Sequence, residues 1–192
     1  MASKPGERKL QILQTVAQML EQPKGEKITT AALAARLELS EAALYRHFAS
    51  KAQMFEGLIE FIEQTVFGVI NKIAQEEKNG VKQVEAIMSM LLNFAQKNRG
   101  MTRVLIGDAL VNEDERLQQR INQLMGRIEA TLKQSLRMAA TQGGMGTSVD
   151  VGAHANVLVC YVMGRWVQFG KSGFARDPLD QWPAQWAILL GK

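Results

Sequence analysis

The sequence predicts an all-α protein: a three-helix domain of the helix-turn-helix kind, then a bundle of longer helices, about nine helices in all. Three observations carry this. Apolar residues recur at spacings of three and four along most of the 192 residues, the period that lines up one face of a helix. No apolar–polar alternation of strand type competes with it. Helix length also changes along the chain, short over the first 50 residues and long thereafter.

Leu10, Leu13, Ala17 and Leu20 share one face of a first helix, which should end near Pro23 and Gly25. Thr29 or Thr30 is placed to cap a second, AALAARL, and Ser40 a short third, EAALYRHF, with Glu41 in its first turn. Ser50 opens a fourth, and Ser50 and Gln53 have capping-box spacing. Phe55, Leu58, Ile59, Ile62, Val66, Ile70 and Ile73 then form a stripe that Asn79-Gly80 ends. A fifth helix is expected from Val81 to Lys97, a turn at Asn98-Arg99-Gly100, a sixth helix over Thr102–Val111 and a long seventh from Glu113 to Ala140. The glycine-rich segment from Gln142 to Gly146 reads as a loop. An eighth helix follows from Ser148 to Phe169, and Asp177-Pro178 precedes a last short one over Gln181–Leu190. The expected division is a DNA-binding domain at 1–50 and a helical dimerisation and partner-binding domain at 51–192, with the helix at 50–78 joining them.

The net charge of +4 is a weak guide, but its distribution says more. Residues 1–51 carry a surplus of +3 and the remainder only +1, so the basic excess sits where it would suit a polyanion. Cys160 is the only cysteine. It leaves no intramolecular disulfide and fits a reducing cytoplasm. No apolar leader follows Lys4–Lys9, and the longest apolar run, Val157–Met163, is far short of the roughly 20 residues of a membrane span. His47 and His154 are too dispersed to join Cys160 in a metal site, and GGMG lacks the strand and lysine of a phosphate loop. With no nucleophile–base pair either, an enzyme is not expected, nor a cofactor or metal.

Two short helices joined by a tight turn are the makings of a helix-turn-helix. Ala31, Ala32, Ala34 and Ala35 are small enough for the second helix to pack closely on its neighbours, and Leu37 and Leu39 bracket the turn. Ser40 starts the recognition helix, whose first residues meet base edges in the major groove. Ala42 and Ala43 let it approach the groove floor and touch thymine methyls. Tyr45, Arg46, His47 and Lys51 are within reach of phosphates, and Thr29 and Thr30 offer hydroxyls and N–H groups at a helix start. Phe48 is the core plug of the third helix. The plainer alternatives are a helical hairpin in a core and, for His47, a capping or packing role.

The stretch ITTAALAARLELSEAALYRHFASKAQMFEGLIEFIE resembles the DNA-binding domain of the TetR family of bacterial regulators, over about residues 8–62. NRGMTRVLIGDAL and RLQQRINQLMGRIEATLKQSLR extend the likeness to a branch of that family concerned with nucleoid occlusion. One departure stands out: the family often has glycine in the turn where this chain has Glu38. A non-glycine residue held at positive φ costs roughly 1 kcal/mol.

VGAHANVLVCYVMGRWVQF, residues 151–169, is apolar on most sides. A helix of that kind is covered on two faces, by the chain's own core or by a second subunit. TetR-like proteins dimerise through their last two long helices, so the resemblance implies a homodimer, with Val157, Leu158, Tyr161, Val162 and Trp166 as interface candidates. Two recognition helices about 34 Å apart would then read palindromic double-stranded DNA, with several dimers to a site allowed. Trp182 and Trp186 read as packing residues. Phe61 and Phe67 lie off the apolar stripe of the fourth helix, either buried by another helix or part of a protein-binding patch. In the nucleoid-occlusion branch, the fourth and fifth helices hold the surface for the division protein FtsZ. Phe61 and Asn98 match that pattern and Lys97 matches conservatively, while Val69, Met90 and Asn93 depart from it. The resemblance thus implies a cytoplasmic, nucleoid-associated protein that binds DNA and antagonises FtsZ. The alternative is a ligand-responsive repressor of the same fold.

Overall fold

The computed structural model describes residues 5–22, 28–146 and 149–190. Among these lie nine α-helices and one 3₁₀ turn. They are α1 (Pro5–Leu20), α2 (Thr30–Arg36), α3 (Glu41–Tyr45), α4 (Lys51–Glu76), α5 (Gly80–Lys97), α6 (Arg99–Leu105), the 3₁₀ turn Asp108–Leu110, α7 (Glu115–Thr141), α8 (Val151–Lys171) and α9 (Trp182–Leu189). The expected all-α class is what is found. Pro23 and Gly25, expected to end the first helix, and Ser148, expected to start the eighth, lie outside the described residues. The chain forms two compact units, residues 1–62 with 98–121 and residues 63–97 with 122–192.

The first unit is built on α1, α2, α3, the start of α4, and α6. Ile12, Leu33, Leu44, Leu58 and Val104 are fully buried in it. Its tightest contact corrects the expected turn at Asn98-Arg99-Gly100. Arg99 and Gly100 are the first residues of α6, and Asn98 is its N-cap. Gly100 is glycine because α6 runs directly against α1: a Cβ there would lie 1.9 Å from the Ala17 carbonyl oxygen. α6 is also shorter than expected. Gly107 takes a left-handed φ of 78°, which stops the helix and leads into the 3₁₀ turn. α7 starts two residues later than expected, where the Asp114 carboxylate accepts the Arg116 N–H at 3.0 Å. The Arg116 guanidinium beside it holds the Asp114 carboxyl at about 2.

The second unit packs α5, α7 and α8 with the later part of α4. Ile70, Val84, Ile87, Leu91, Leu132 and Leu158 are completely buried. Polar groups in this core are paired: Ser135 Oγ donates to Gln83 Oε1, and Trp166 Nε1–H donates to the Leu91 carbonyl at 3.1 Å. Asp150 is the N-cap of α8, its carboxylate accepting the N–H groups of Gly152 and Ala153 at 2.7 and 3.1 Å. Those two bonds hold its pKa below the ordinary carboxylate value. Trp182 and Trp186 pack on each other at 5.5 Å between ring centroids, and Trp182 also packs on Tyr161.

α8 revises three of the interface candidates. Leu158, Val162 and Trp166 are at most 2% exposed within the chain itself, so they cannot supply surface to a second subunit. Tyr161 is half-buried and bonds Gln185. The side that α8 leaves open carries Val157, Met163 and Val167, with Val157 52% exposed. Phe67, the other off-stripe aromatic, is covered by the Arg127 guanidinium, 3.9 Å from its ring centroid.

Candidate nucleic-acid interface

α2 begins at Thr29, whose extended backbone turns its hydroxyl oxygen to accept the Ala32 N–H at 3.1 Å. Of the four alanines expected to let this helix pack closely, only Ala34 is buried; Ala31, Ala32 and Ala35 face solvent. α2 therefore docks through Leu33, Ala34 and Leu37 and leaves a thin, methyl-lined outer side.

The turn closes through Glu38 N–H to Ala35 O and Leu39 N–H to Ala34 O, at 3.1 and 2.9 Å. It requires φ of 55° at Glu38, the left-handed region that costs a side-chain-bearing residue roughly 1 kcal/mol. Ser40 then caps α3, accepting the Ala43 N–H at 3.1 Å. Leu44 at 0% and Phe48 at 8% exposure anchor the recognition helix from beneath. Gly57 of α4 leaves room at that side: a Cβ there would lie 3.2 Å from the Phe48 ring and 3.3 Å from a Leu13 methyl.

With Leu44 and Phe48 pointing inward, the outer face of α3 is set. Ser40, Glu41, Ala42, Tyr45 and Arg46 are exposed, and Ala43 and His47 are half-buried. Thr29 is exposed beside them and Thr30 half-buried. A contact between Thr30 and Glu41 sets the start of α2 beside the start of α3. Two of the candidates carry contacts that sequence reasoning did not anticipate. The Thr30 hydroxyl donates to Glu41 Oε2 at 2.6 Å, so its proton is already engaged and the only acid of the recognition helix is held back against α2. The Lys51 ammonium, at the head of α4, is ion-paired with Glu113 and lies 5.7 Å from the Phe55 ring centroid. Glu113 is 62 positions away, and no local pattern could have pointed to it.

The arrangement is chemically simple. An exposed helix carries small residues at its start and a phenol and a guanidinium at its end, framed by two capped helix starts. Methyls suit thymine, while hydroxyls and cations suit phosphate oxygens. Among the described residues no group of three or more His, Cys, Asp or Glu is placed to hold a metal ion, and no helix is long and apolar enough to cross a membrane. The candidates for a protein partner sit elsewhere. Phe61 is half-buried on α4, Lys97 is exposed at the end of α5, and Asn98 is half-buried at the N-cap of α6.

Comparison with known proteins places this geometry. Residues 17–58 match the family model described as bacterial regulatory proteins of the tetR family. Residues 78–192 match the SlmA-like model described as the tetracyclin repressor-like C-terminal domain. Nucleoid occlusion factor SlmA of Alteromonas mediterranea is 51% identical over 188 residues, covering 98% of this chain and 96% of that protein. Its counterpart from a Marinomonas species is 49% identical over 189 residues with the same coverage. Among solved structures, a TetR transcription regulator from Haloarcula marismortui superposes with a TM-score of 0.81 at 15% identity, covering 97% of each chain, a likeness of fold.

Proposed function

We propose that this chain, which belongs to the SlmA-like group of the TetR family of bacterial regulators, is a nucleoid occlusion factor: a dimer that binds palindromic chromosomal sites and, so bound, antagonises FtsZ polymerisation and keeps the septum off the nucleoid. The observation that carries this reading is identity of about half the residues to nucleoid occlusion factors over 96% of their length, including the bundle, where TetR regulators generally diverge. It implies a cytoplasmic protein localised on the nucleoid.

In this reading residues 1–50 are the DNA-binding domain. Ala42 and Ala43 approach the bases, and Tyr45, Arg46, Thr29 and the flank around His47 and Lys51 hold the backbone. Residues 51–192 hold the second subunit and the partner. The dimer seam draws on the open side of α8, at Val157, Met163 and Val167. Phe61, Lys97 and Asn98 are the partner residues the resemblance implies, with Val69, Met90 and Asn93 altering the rest of that contact set. DNA serves as address and activator: it favours the partner-competent state, so FtsZ must in turn tighten DNA binding by the same factor. Sedimentation of FtsZ polymers with this protein and either a palindromic or a scrambled duplex tests the reading. Polymer loss should be stimulated by the specific duplex alone, and equal loss with both would sink the coupling. Phe61→Ala should spare DNA binding while abolishing the block.

The repressor alternative needs a ligand chamber between the helices of the bundle. The cleft of about 630 Å³ in the second unit is instead a polar surface feature of the segment joining α8 and α9, lined by Arg165, Gln168, Arg176 and Asp180. It offers no apolar enclosure for an effector.

A further inference from the structure

We propose that Glu113 is an internal substitute for DNA phosphate: it holds Lys51 in the unbound protein, and duplex binding exchanges the carboxylate for a phosphate and releases the segment that carries Glu113. The inference rests on the DNA-binding reading above and goes beyond it by naming an autoinhibitory contact.

Lys51 is the first residue of α4, six positions after Tyr45 and five after Arg46 on the exposed face of the recognition helix. A cation at a helix start opposes the positive end of the macrodipole, so it calls for an anion beside it. Glu113 meets that need here, with the Lys51 and Glu113 side chains only 23% and 14% exposed. A phosphate at the same helix start would meet it equally well and carries the same sign. Lys51 cannot serve both at full strength, so the carboxylate competes with DNA for it.

The surroundings favour an exchange. A cavity of about 240 Å³ is lined by Lys51, Phe55 and Glu113, with Arg103, Asp108 and Val111 on its other walls. It gives both side chains room to change rotamer without displacing core atoms. Glu113 also sits on a segment that local backbone preferences hold weakly. Left-handed residues, Gly107 at φ 78° and Asn112 at φ 65°, bracket the single 3₁₀ turn. Two ion pairs tie that segment down, Arg103 with Asp108 at 3.6 Å and Lys51 with Glu113. Loss of the second would leave the segment held by its other contacts alone, so DNA binding at α3 and α4 would be felt at the head of α7.

A double-mutant cycle tests this on the full-length protein, by fluorescence anisotropy with one palindromic duplex and one scrambled duplex. The proteins are the wild type, Glu113→Gln, Lys51→Met and the double variant. Glu113→Gln should bind the palindrome roughly 3- to 10-fold more tightly, the scale of a partly exposed ion pair. Lys51→Met should bind more weakly. Adding Glu113→Gln to Lys51→Met should change nothing, because the carboxylate acts through Lys51. An equal gain in both backgrounds would overturn the proposal, since Glu113 would then act only by repelling DNA through space. No gain from Glu113→Gln would overturn it as well. A wild-type protein that binds neither duplex would overturn the DNA reading and this proposal with it. If Glu113→Gln fails to fold, Glu113→Asp carries the same cycle: it keeps the charge but withdraws the carboxylate by one methylene, and its gain must likewise vanish without Lys51.

Discussion

Replacing Gly100 by alanine should damage the DNA-binding unit although alanine is the better helix former. The added Cβ would sit 1.9 Å from the Ala17 carbonyl oxygen, 2.8 Å from its carbon and 3.2 Å from its Cα. Non-bonded heavy atoms settle about 3.5 Å apart, so α6 must retreat from α1 by roughly 1.5 Å. The obstructing atoms are α1 backbone, with no rotamer to give way. Overpacking of this kind costs about 3 kcal/mol or more, against a helix-propensity gain of about 1 kcal/mol. A net loss of about 2 kcal/mol lowers the melting temperature by roughly 4–8 °C for a chain of this size. Gly68→Ala is the control. Gly68 lies within α4 with nothing within 4 Å of its added Cβ, so the same substitution should raise stability by about 1 kcal/mol. Circular dichroism melts of the three proteins decide the matter. A Gly100→Ala protein that melts with or above the wild type would refute the close α1–α6 approach, and with it the reason for a glycine in the first turn of α6.

Glu38→Gly should relieve the left-handed turn by about 1 kcal/mol and give back roughly half of that in unfolded-state entropy. Its urea midpoint should therefore rise slightly, while Glu38→Val should fall below the wild type; identical midpoints for all three would mean that the turn is not strained. Trp166→Phe removes the donor to the Leu91 carbonyl and part of a fully buried ring, so it should cost about 1–3 kcal/mol in chemical unfolding. The Asp150 cap makes a prediction about pH. Its carboxyl is held below the ordinary value of 3.8, first by the Ala153 N–H and then by the Gly152 N–H. The cap's contribution is thus complete above the ordinary value and is lost as the pH falls through the lowered one. The melting gap between the wild type and Asp150→Ala should be constant near neutral pH and close in acid; a gap that widens in acid would have the wrong sign.

What the sequence disclosed and what it withheld divide along one physical line, the range of the interaction. The caps at Thr29 and Ser40 are legible because hydroxyl and N–H are three residues apart. Even the near miss at Ser50 is local: Ser50 Oγ accepts the Gln53 N–H as capping-box spacing requires, but Gln53 Oε1 takes the Ala49 N–H rather than that of Ser50. The strain at Glu38 was also foreseeable, since a tight turn between two helices demands a left-handed residue whatever occupies it. The errors arise where one residue pattern has two tertiary meanings. Glycine at position 100 signals a turn when read alone, yet it is equally the residue of a helix pressed against another backbone, and only Ala17, 83 positions earlier, tells the two apart. The apolar face of α8 is ambiguous in the same way. Val157 and Leu158 are alike as apolar residues, and one is 52% exposed while the other is completely buried, because the seat of Trp166 under the Leu91 carbonyl fixes the rotation of the helix. Lys51 is the sharpest case. Its place beside the third helix makes it a candidate for phosphate on sequence alone. Its ion pair with Glu113 is legible only in the fold, which brings together a carboxylate and an ammonium 62 positions apart.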